Sequence, residues 1–280
     1  MCEFAPHRLA SGGFTIEITG KVFVVTGAGN GIGREVALDL LARGASVAGL
    51  DIKSDWLDET QSLAGKQASR FQAFPIDITD RKKVVALPAK VEKALGLPDG
   101  LINVAGIIQP FVRVNDLDFD AIDRVINVNL HGPLNLIKAF LPGLLTRPEA
   151  HLVNVSSMGS YAPVPGQTVY GATKAAINLL SEGLRSELMG TSVRVTVVYP
   201  GAIGTNIAGN SGLDMSGAGE ASTRKVVAPA DAGRQIVLAI LANKKRITIG
   251  QDASALWKVN HLSPDLAAGM IYKGMKDLLP

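Results

Sequence analysis

From Lys21 onward, short apolar runs alternate with longer stretches in which apolar positions recur every three or four residues. Val22 to Val25 is such a run and predicts a strand, because β-branched and aromatic side chains suit a pleated, buried surface. A glycine-rich turn follows. Ile32, Val36 and Leu40 then fall on one face of a helix expected over 32–42, with Gly44 as its stop signal. Further strands are expected over 45–50, 70–76, 100–104, 151–156, 193–199 and 246–249. Helices are expected over 169–189 and 230–242, and over a long stretch from 118 to 145 interrupted near Pro133 and Pro142. Pro88 should kink or shorten the helical segment after the third strand. Strands that alternate with helices of this length imply a parallel sheet covered on both faces. The expected fold is α/β: a single-domain Rossmann fold over residues 21–250, a doubly wound parallel β-sheet of about seven strands.

Three segments lie outside this rhythm. Residues 1–20 form an N-terminal extension. Residues 202–225, rich in Gly, Ser, Ala and Asn, read as a flap over a substrate site, and 251–280 as an amphipathic tail packing on or near it. Composition narrows the function classes. The chain has 280 residues, 47% of them hydrophobic, with 30 glycines, which suits one large core. The net charge of +3 is dispersed, with no basic cluster interleaved with aromatics, so no nucleic-acid partner is expected. One cysteine, Cys2, excludes an intrachain disulfide. With no apolar leader at the start, it points to a reducing cytoplasm. No uncharged stretch approaches the roughly 18 residues of a membrane helix, so no membrane span is expected. The four histidines show no ligand spacing, and no metal is expected.

The candidate chemistry sits at the ends of strands. Thr26-Gly27-Ala28-Gly29-Asn30-Gly31-Ile32-Gly33 lies between the first strand and the first helix. Glycines there let a pyrophosphate approach the backbone at a helix N-terminus, where free N–H groups and the helix dipole favour an anion. Asp51 closes the second strand, and its carboxylate can accept both adenosine ribose hydroxyls while repelling a 2′-phosphate, which favours NAD over NADP. Leu101 to Gly106 ends the fourth strand in small residues that allow a backbone to pass under a cofactor. Ser157 emerges at the end of the fifth, where it can donate to a substrate oxygen. Tyr170 and Lys174 stand four apart on one helix face. A phenol has a pKa of about 10, so a Tyr acting as a base near neutrality needs it lowered by roughly 2–3, and a neighbouring ammonium supplies part of that.

Together these residues resemble the classical short-chain dehydrogenase/reductase family, from about Lys21 to Gly250 and in the family's order. The resemblance implies that Gly27, Asn30, Gly31, Ile32 and Gly33 hold the dinucleotide phosphates, that Asp51 binds the ribose, and that Asp77 and Ile78 flank the adenine. Asn103, Ala105 and Gly106 resemble the family's Asn-Asn-Ala-Gly motif, with Val104 in place of the second Asn. Pro200, Gly201, Ile203 and Thr205 would hold the nicotinamide carboxamide. The catalytic residues it implies are Asn129, Ser157, Tyr170 and Lys174, with Tyr170 and Lys174 also touching the cofactor. The implied function is NAD(H)-dependent hydride transfer between nicotinamide and a secondary alcohol or ketone, with Tyr170 as general acid/base. Apolar residues of the flap and tail (Ile207, Leu213, Met215, Leu256, Met270) suggest a lipophilic substrate. The family also implies a homodimer or homotetramer through the helices over 118–145 and 169–189. Two other readings of the same residues are an NAD-binding regulatory module without turnover and a dehydratase or epimerase on the same scaffold.

Overall fold

A computed structural model describes residues 17–162, 164–212 and 226–275. Seven strands form one parallel sheet: β1 (Val22–Thr26), β2 (Ser46–Asp51), β3 (Phe71–Pro75), β4 (Gly100–Asn103), β5 (Ala150–Val155), β6 (Val193–Pro200) and β7 (Arg246–Ile249). Their spatial order is β3-β2-β1-β4-β5-β6-β7. The chain winds outward from β1 to β3, returns to the middle at β4, and winds outward the other way. The reversal between β1 and β4 opens a crevice at the carboxyl ends of these two strands, the place where doubly wound sheets bind ligands.

Helices cover both faces. In chain order they are α1 (Gly31–Ala42), α2 (Ser54–Leu63), α3 (Arg81–Val85), α4 (Leu87–Leu95), α5 (Phe119–Ile126), α6 (Gly132–Leu144), α7 (Thr168–Glu187), α8 (Ile207–Asn210), α9 (Pro229–Leu241), α10 (Gln251–Leu262) and α11 (Pro264–Met275). Alternate strand residues serve opposite faces, as the two-residue period requires. Phe23 and Val25 pack with Val36 and Leu40 of α1 and Ile236 and Ile240 of α9. Val22 and Val24 pack with Val91 of α4, Leu136 and Phe140 of α6 and Leu184 of α7. A strand flanked by two such layers reads as continuously apolar, which is why β1 is buried at all five positions.

Two proline expectations come out differently. Pro88 stands in the first turn of α4, just after the break from α3, so it shortens the segment as expected. The stretch over 118–145 is interrupted by a π-helical turn, Asn127–His131, lying between α5 and α6. Pro133 follows it in the first turn of α6, where a missing N–H costs nothing, and Pro142 sits inside α6 without ending it. The interruption therefore precedes the prolines.

The tail folds as α10 and α11. Leu256, Ala267 and Ile271 bury themselves against Ala162, with Tyr161 and Val164 alongside. The Tyr161 hydroxyl donates to the Ala253 carbonyl at 2.8 Å. Of the flap, α8 and its neighbours up to residue 212 are described; Leu213 and Met215 lie outside the described residues, as do Cys2 and residues 276–280. Among the described residues no helix is long and apolar enough to cross a membrane.

Candidate active site

A cleft of about 360 Å³ opens at the crevice between β1 and β4, within the roughly 300–1,000 Å³ of small-ligand sites. Its floor is the turn from β1 into α1. Gly27 has φ +66°, and a side chain there would press on the Ala105 backbone at 3.2 Å. At Gly33 a Cβ would lie 2.2 Å from the Gly27 carbonyl oxygen. Only glycine allows this turn to stay so tight. Asn30 caps α1, its Oδ1 accepting from the Gly31 N–H at 2.6 Å, and the N-terminus of α1 faces the cleft with Gly31, Ile32 and Gly33 in its lining.

The neighbouring strand ends hold that turn in place. The Ala28 N–H donates to the Leu50 carbonyl at 3.1 Å, and the Gly29 N–H donates to Asp51 Oδ2 at 3.1 Å. Asp51 Oδ1 accepts from the Lys53 N–H at 3.2 Å. Each carboxylate oxygen thus keeps acceptor capacity toward the cleft that Asp51 lines. Arg34 and Lys53 are the nearest cations in sequence. Arg34 is turned to Glu59, with contacts of 3.1 and 2.6 Å, and Lys53 Nζ stands over the Trp56 ring, 4.1 Å from its centroid. Neither forms an ion pair with Asp51.

On the other wall, Thr26 Oγ1 accepts from the N–H groups of Val104 and Ala105 at 2.9 and 3.0 Å, tying the β4 loop to the end of β1. Asp77, Ile78, Ala105, Gly106 and Thr205 also line the cleft. Asn103 does not. It is buried beside its register partner Asn154, to whose Oδ1 its amide donates at 2.8 Å. Pro200, Gly201 and Ile203 lie at and beyond the end of β6, outside the lining. A Cβ at Gly201 would lie 2.2 Å from Asp252 Oδ1 and displace that carboxylate, whose Oδ2 accepts from the Ala202 N–H at 2.8 Å.

Gly106 joins the cleft to the second half of the site. A Cβ on it would lie 3.1 Å from Lys174 Nζ and 3.2 Å from Asn129 Oδ1. The π turn aims Asn129 inward, where Oδ1 accepts from the Ile107 N–H at 2.9 Å and Nδ2 donates to the Ile107 carbonyl at 2.8 Å. Lys174 is buried and donates to the Val155 carbonyl at 3.0 Å. Its Nζ lies 5.9 Å from the Tyr170 ring centroid. Ser157 follows β5, its Oγ accepting from the Gly159 N–H at 3.0 Å. The fold thus gathers Asn129, Ser157, Tyr170 and Lys174 from three separate segments.

Their electrostatics leave the phenol in need of help to ionise. Burial pushes the Tyr170 phenol above its ordinary value, and the hydrogen bond with the Ser157 hydroxyl only partly opposes this. Burial pulls the Lys174 ammonium down to about 8. Lys174 therefore does not by itself activate the phenol. Desolvation outweighs a single, equally desolvated cation.

Several further residues complete the lining, and of these the sequence singles out only Ile207, as an apolar residue of the flap. Trp56, Ile107, Val128 and Arg124 line the cleft, as do Ile207, Asn210 and Ser211 of the flap. Ser211 Oγ accepts from the Ile108 N–H at 3.0 Å, and Arg124 Nη2 donates to the Ser211 carbonyl at 3.3 Å. Helical periodicity marks Arg124 and Val128 as sharing a face, but only the tertiary fold turns that face to the cleft.

A glycine turn at the switch point, a carboxylate closing β2 and a Ser-Tyr-Lys-Asn cluster beside the cleft suit a dinucleotide-binding α/β domain. Residues 21–216 match the family model described as short chain dehydrogenase. SadH of Mycobacterium tuberculosis, an oxidoreductase by name, is 35% identical over 245 residues, covering 85% of this chain and 88% of that one. An uncharacterized oxidoreductase of Staphylococcus aureus is 32% identical over 84% of this chain and 96% of its own length. Among solved structures, a short chain dehydrogenase from Burkholderia cenocepacia in complex with NADP superposes with a TM-score of 0.77 at 26% identity, covering 91% of this chain and 99% of that one. One from Streptomyces avermitilis gives 0.76 at 29%, covering 92% and 98%. The chain belongs to the short-chain dehydrogenase family.

Proposed function

We propose that this chain is an NAD(H)-dependent oxidoreductase that moves a hydride between nicotinamide and a secondary alcohol or ketone. The observation that carries the reading is the convergence of Ser157, Tyr170, Lys174 and Asn129 beside a glycine-floored cleft. The residues present fit a dinucleotide. Gly27 and Gly33 leave a cradle that side chains would fill, and the α1 N-terminus offers N–H groups to phosphates. Gly106 leaves open the approach to Lys174. When bound, the cofactor supplies the hydride-carrying carbon and, in its oxidised form, a positive charge.

The chain's own residues do the rest. In alcohol oxidation Tyr170 takes the hydroxyl proton at its phenolic oxygen; in carbonyl reduction it returns it. Ser157 donates to the substrate oxygen and steadies the charge developing there. Lys174 binds ribose hydroxyls and adds its field to lower the phenol. Asn129 holds the Ile107 peptide in both directions, fixing the loop under Lys174. Burial raises the phenol, so a second positive charge besides Lys174 is needed before it acts as a base near neutrality.

NAD is preferred over NADP because Asp51 faces the cleft with neither Arg34 nor Lys53 neutralising it. The Burkholderia cenocepacia relative, bound to NADP, makes this preference a point to measure. Replacing Asp51 with Ser is expected to shift the NADP-to-NAD ratio of kcat/KM upward by roughly 10–100-fold, the loss of a ribose contact and of a like-charge repulsion. An unchanged ratio would remove Asp51 from the selectivity argument. The substrate class is lipophilic, a reading that rests on the apolar residues of the flap and tail, of which Ile207 stands in the cleft wall. The chain assembles as a homodimer or homotetramer through helices that carry the exposed Phe119 and Leu179; light scattering giving a monomer would contradict this.

The deciding experiment is a panel of secondary alcohols and ketones with NAD and NADP side by side, followed at the reduced-nicotinamide band near 340 nm. Turnover that disappears in Tyr170→Phe while NAD still binds supports the reading. Tight NAD binding with no turnover across the panel would favour a regulatory binding module instead.

A further inference from the structure

Helix α7 carries Tyr170 in its first turn, yet has no local cap. Gln167, the residue before it, makes no side-chain hydrogen bond to the helix N–H groups. The first N–H groups of a helix have no intrahelical partner and must find one elsewhere. Here it comes from about sixty residues away in sequence. Gln109 Oε1 accepts from the Val169 N–H at 2.8 Å and from the Tyr170 N–H at 3.0 Å. In return, Gln167 Nε2 donates to the Gln109 carbonyl at 2.7 Å. Gln109 is 0% exposed.

The loop holding Gln109 is itself pinned to the site. Its Ile107 peptide is held in both directions by Asn129, and the Ile108 N–H donates to Ser211 Oγ of the flap. Three consecutive residues thus refer the flap, Asn129 and the first turn of α7 to one another. Gln109 Nε2 has no acceptor among the described residues, so the amide acts here through its oxygen alone.

We propose that Gln109 is a positioning residue for Tyr170, capping α7 from the β4–α5 loop so that the phenol is held in register with Asn129 and Lys174. The assignment rests on the oxidoreductase reading above for its catalytic consequence, but not for its structural one. It makes a chemical distinction. A replacement that keeps an acceptor oxygen at the same reach should serve, and one that keeps only volume should not.

The test uses the full-length chain as Gln109→Leu and Gln109→Glu, with two readouts. Amide hydrogen exchange over the start of α7 needs no substrate. In Gln109→Leu it is expected to accelerate at Val169 and Tyr170 by at least about tenfold, and in Gln109→Glu to stay near the wild-type rate, because a carboxylate oxygen accepts both N–H groups at a helix N-terminus. In turnover, Gln109→Leu is expected to lose at least about tenfold in kcat per dinucleotide-binding site, with the dinucleotide Kd changed less than about threefold, and Gln109→Glu to recover most of that loss. Wild-type exchange in Gln109→Leu would overturn the assignment. So would kcat and dinucleotide affinity falling together, or Gln109→Glu failing as Gln109→Leu does. A wild-type protein that turns over no alcohol or ketone would count against the oxidoreductase reading alone, with exchange still deciding Gln109.

Discussion

The two edges of the sheet handle their most buried charges in opposite ways. At the amino-terminal edge Asp99, just before β4, is 5% exposed and fully engaged. Its Oδ2 accepts from the Val22 N–H at 2.9 Å. Its Oδ1 accepts from Arg147 Nε and Nη2 at 2.9 and 2.7 Å, with Lys21 Nζ at 3.7 Å. At the carboxyl-terminal edge Lys174 is equally buried, but no carboxylate pairs with it among the described residues; its recorded partner is the Val155 carbonyl. Asn103 Oδ1, Gln109 Nε2 and Gln167 Oε1 have no partner there either. One edge has arranged its charges to satisfy itself. The other keeps a desolvated, unpaired charge beside the cleft, the pattern expected where stability is traded for function.

That contrast predicts opposite phenotypes. Tyr170→Phe should lower kcat by about 10²–10⁴-fold, the contribution of a positioned acid or base. Its melting temperature should stay close to wild type, since the aromatic ring is retained. A variant that melts early would mean that the phenol belongs to the structural class after all. Asp99→Ala should do the reverse. It leaves two cations and the Val22 N–H without their acceptor and should lower stability by about 2–4 kcal/mol. This is less than for a fully dry pair, because Arg147 and Lys21 retain 27% and 24% exposure. The denaturation midpoint should fall with little change in slope, and kcat per folded molecule should hold. Loss of kcat at unchanged stability would abolish the distinction between the edges.

How much of this was legible in the sequence follows the same division. The strands were, because β-branched runs bounded by turns are local signals; β7 spans the very residues its pattern indicates, and the others differ by a residue or two. The glycine turn and the Tyr-x-x-x-Lys face were legible too, since spacing alone places them. What was not legible depends on contacts between distant segments. The helix over 118–145 was expected to be interrupted near Pro133 and Pro142, but the interruption is a π turn just before both, where Asn129 is bonded to Ile107 from another loop. Asn103 reads as a strand-end cofactor contact, yet the pleat and register set it against Asn154. Gln109 has no local signature at all, because a cap supplied from a remote loop leaves no capping pattern beside the helix.

Two titrations test the edges more finely. His151, second in β5 near the Asp99 edge, is 1% exposed, and its Nε2 lies 2.8 Å from Thr196 Oγ1. Thr196 donates in turn to the Lys244 carbonyl, so the imidazole gives its proton from Nε2 and leaves Nδ1 bare and unpartnered. Burial chiefly, with Arg194 adding to it, pulls the His151 pKa from 6.5 down to about 3. The unfolded chain then binds the extra proton first. Stability is fully present above about pH 6.5 and is lost as pH falls toward about 3, at up to ~1.4 kcal/mol per pH unit. Denaturant titrations should show this slope, and His151→Gln should flatten it. An equally steep acid limb in the variant would place the sensitive group elsewhere.

The smallest effect is also the one with the less intuitive sign. Lys174 has a folded pKa of about 8 against 10.5 for the free side chain. Holding its charge in the dry site costs most below pH 8, and that cost disappears as pH rises toward 10.5, where both states lose the proton. Lys174→Met removes the charge and keeps most of the volume. At pH 7, without cofactor, it should stabilise the fold by about 1–2 kcal/mol, the desolvation relieved less one hydrogen bond lost at the Val155 carbonyl. At pH 10 the gain should shrink, while activity is absent at both. Removing a buried charge at one edge thus raises the denaturation midpoint, and removing one at the other lowers it. A Lys174→Met protein less stable than wild type at pH 7 would show that the carboxyl-terminal edge, like the Asp99 edge, is already satisfied without a ligand.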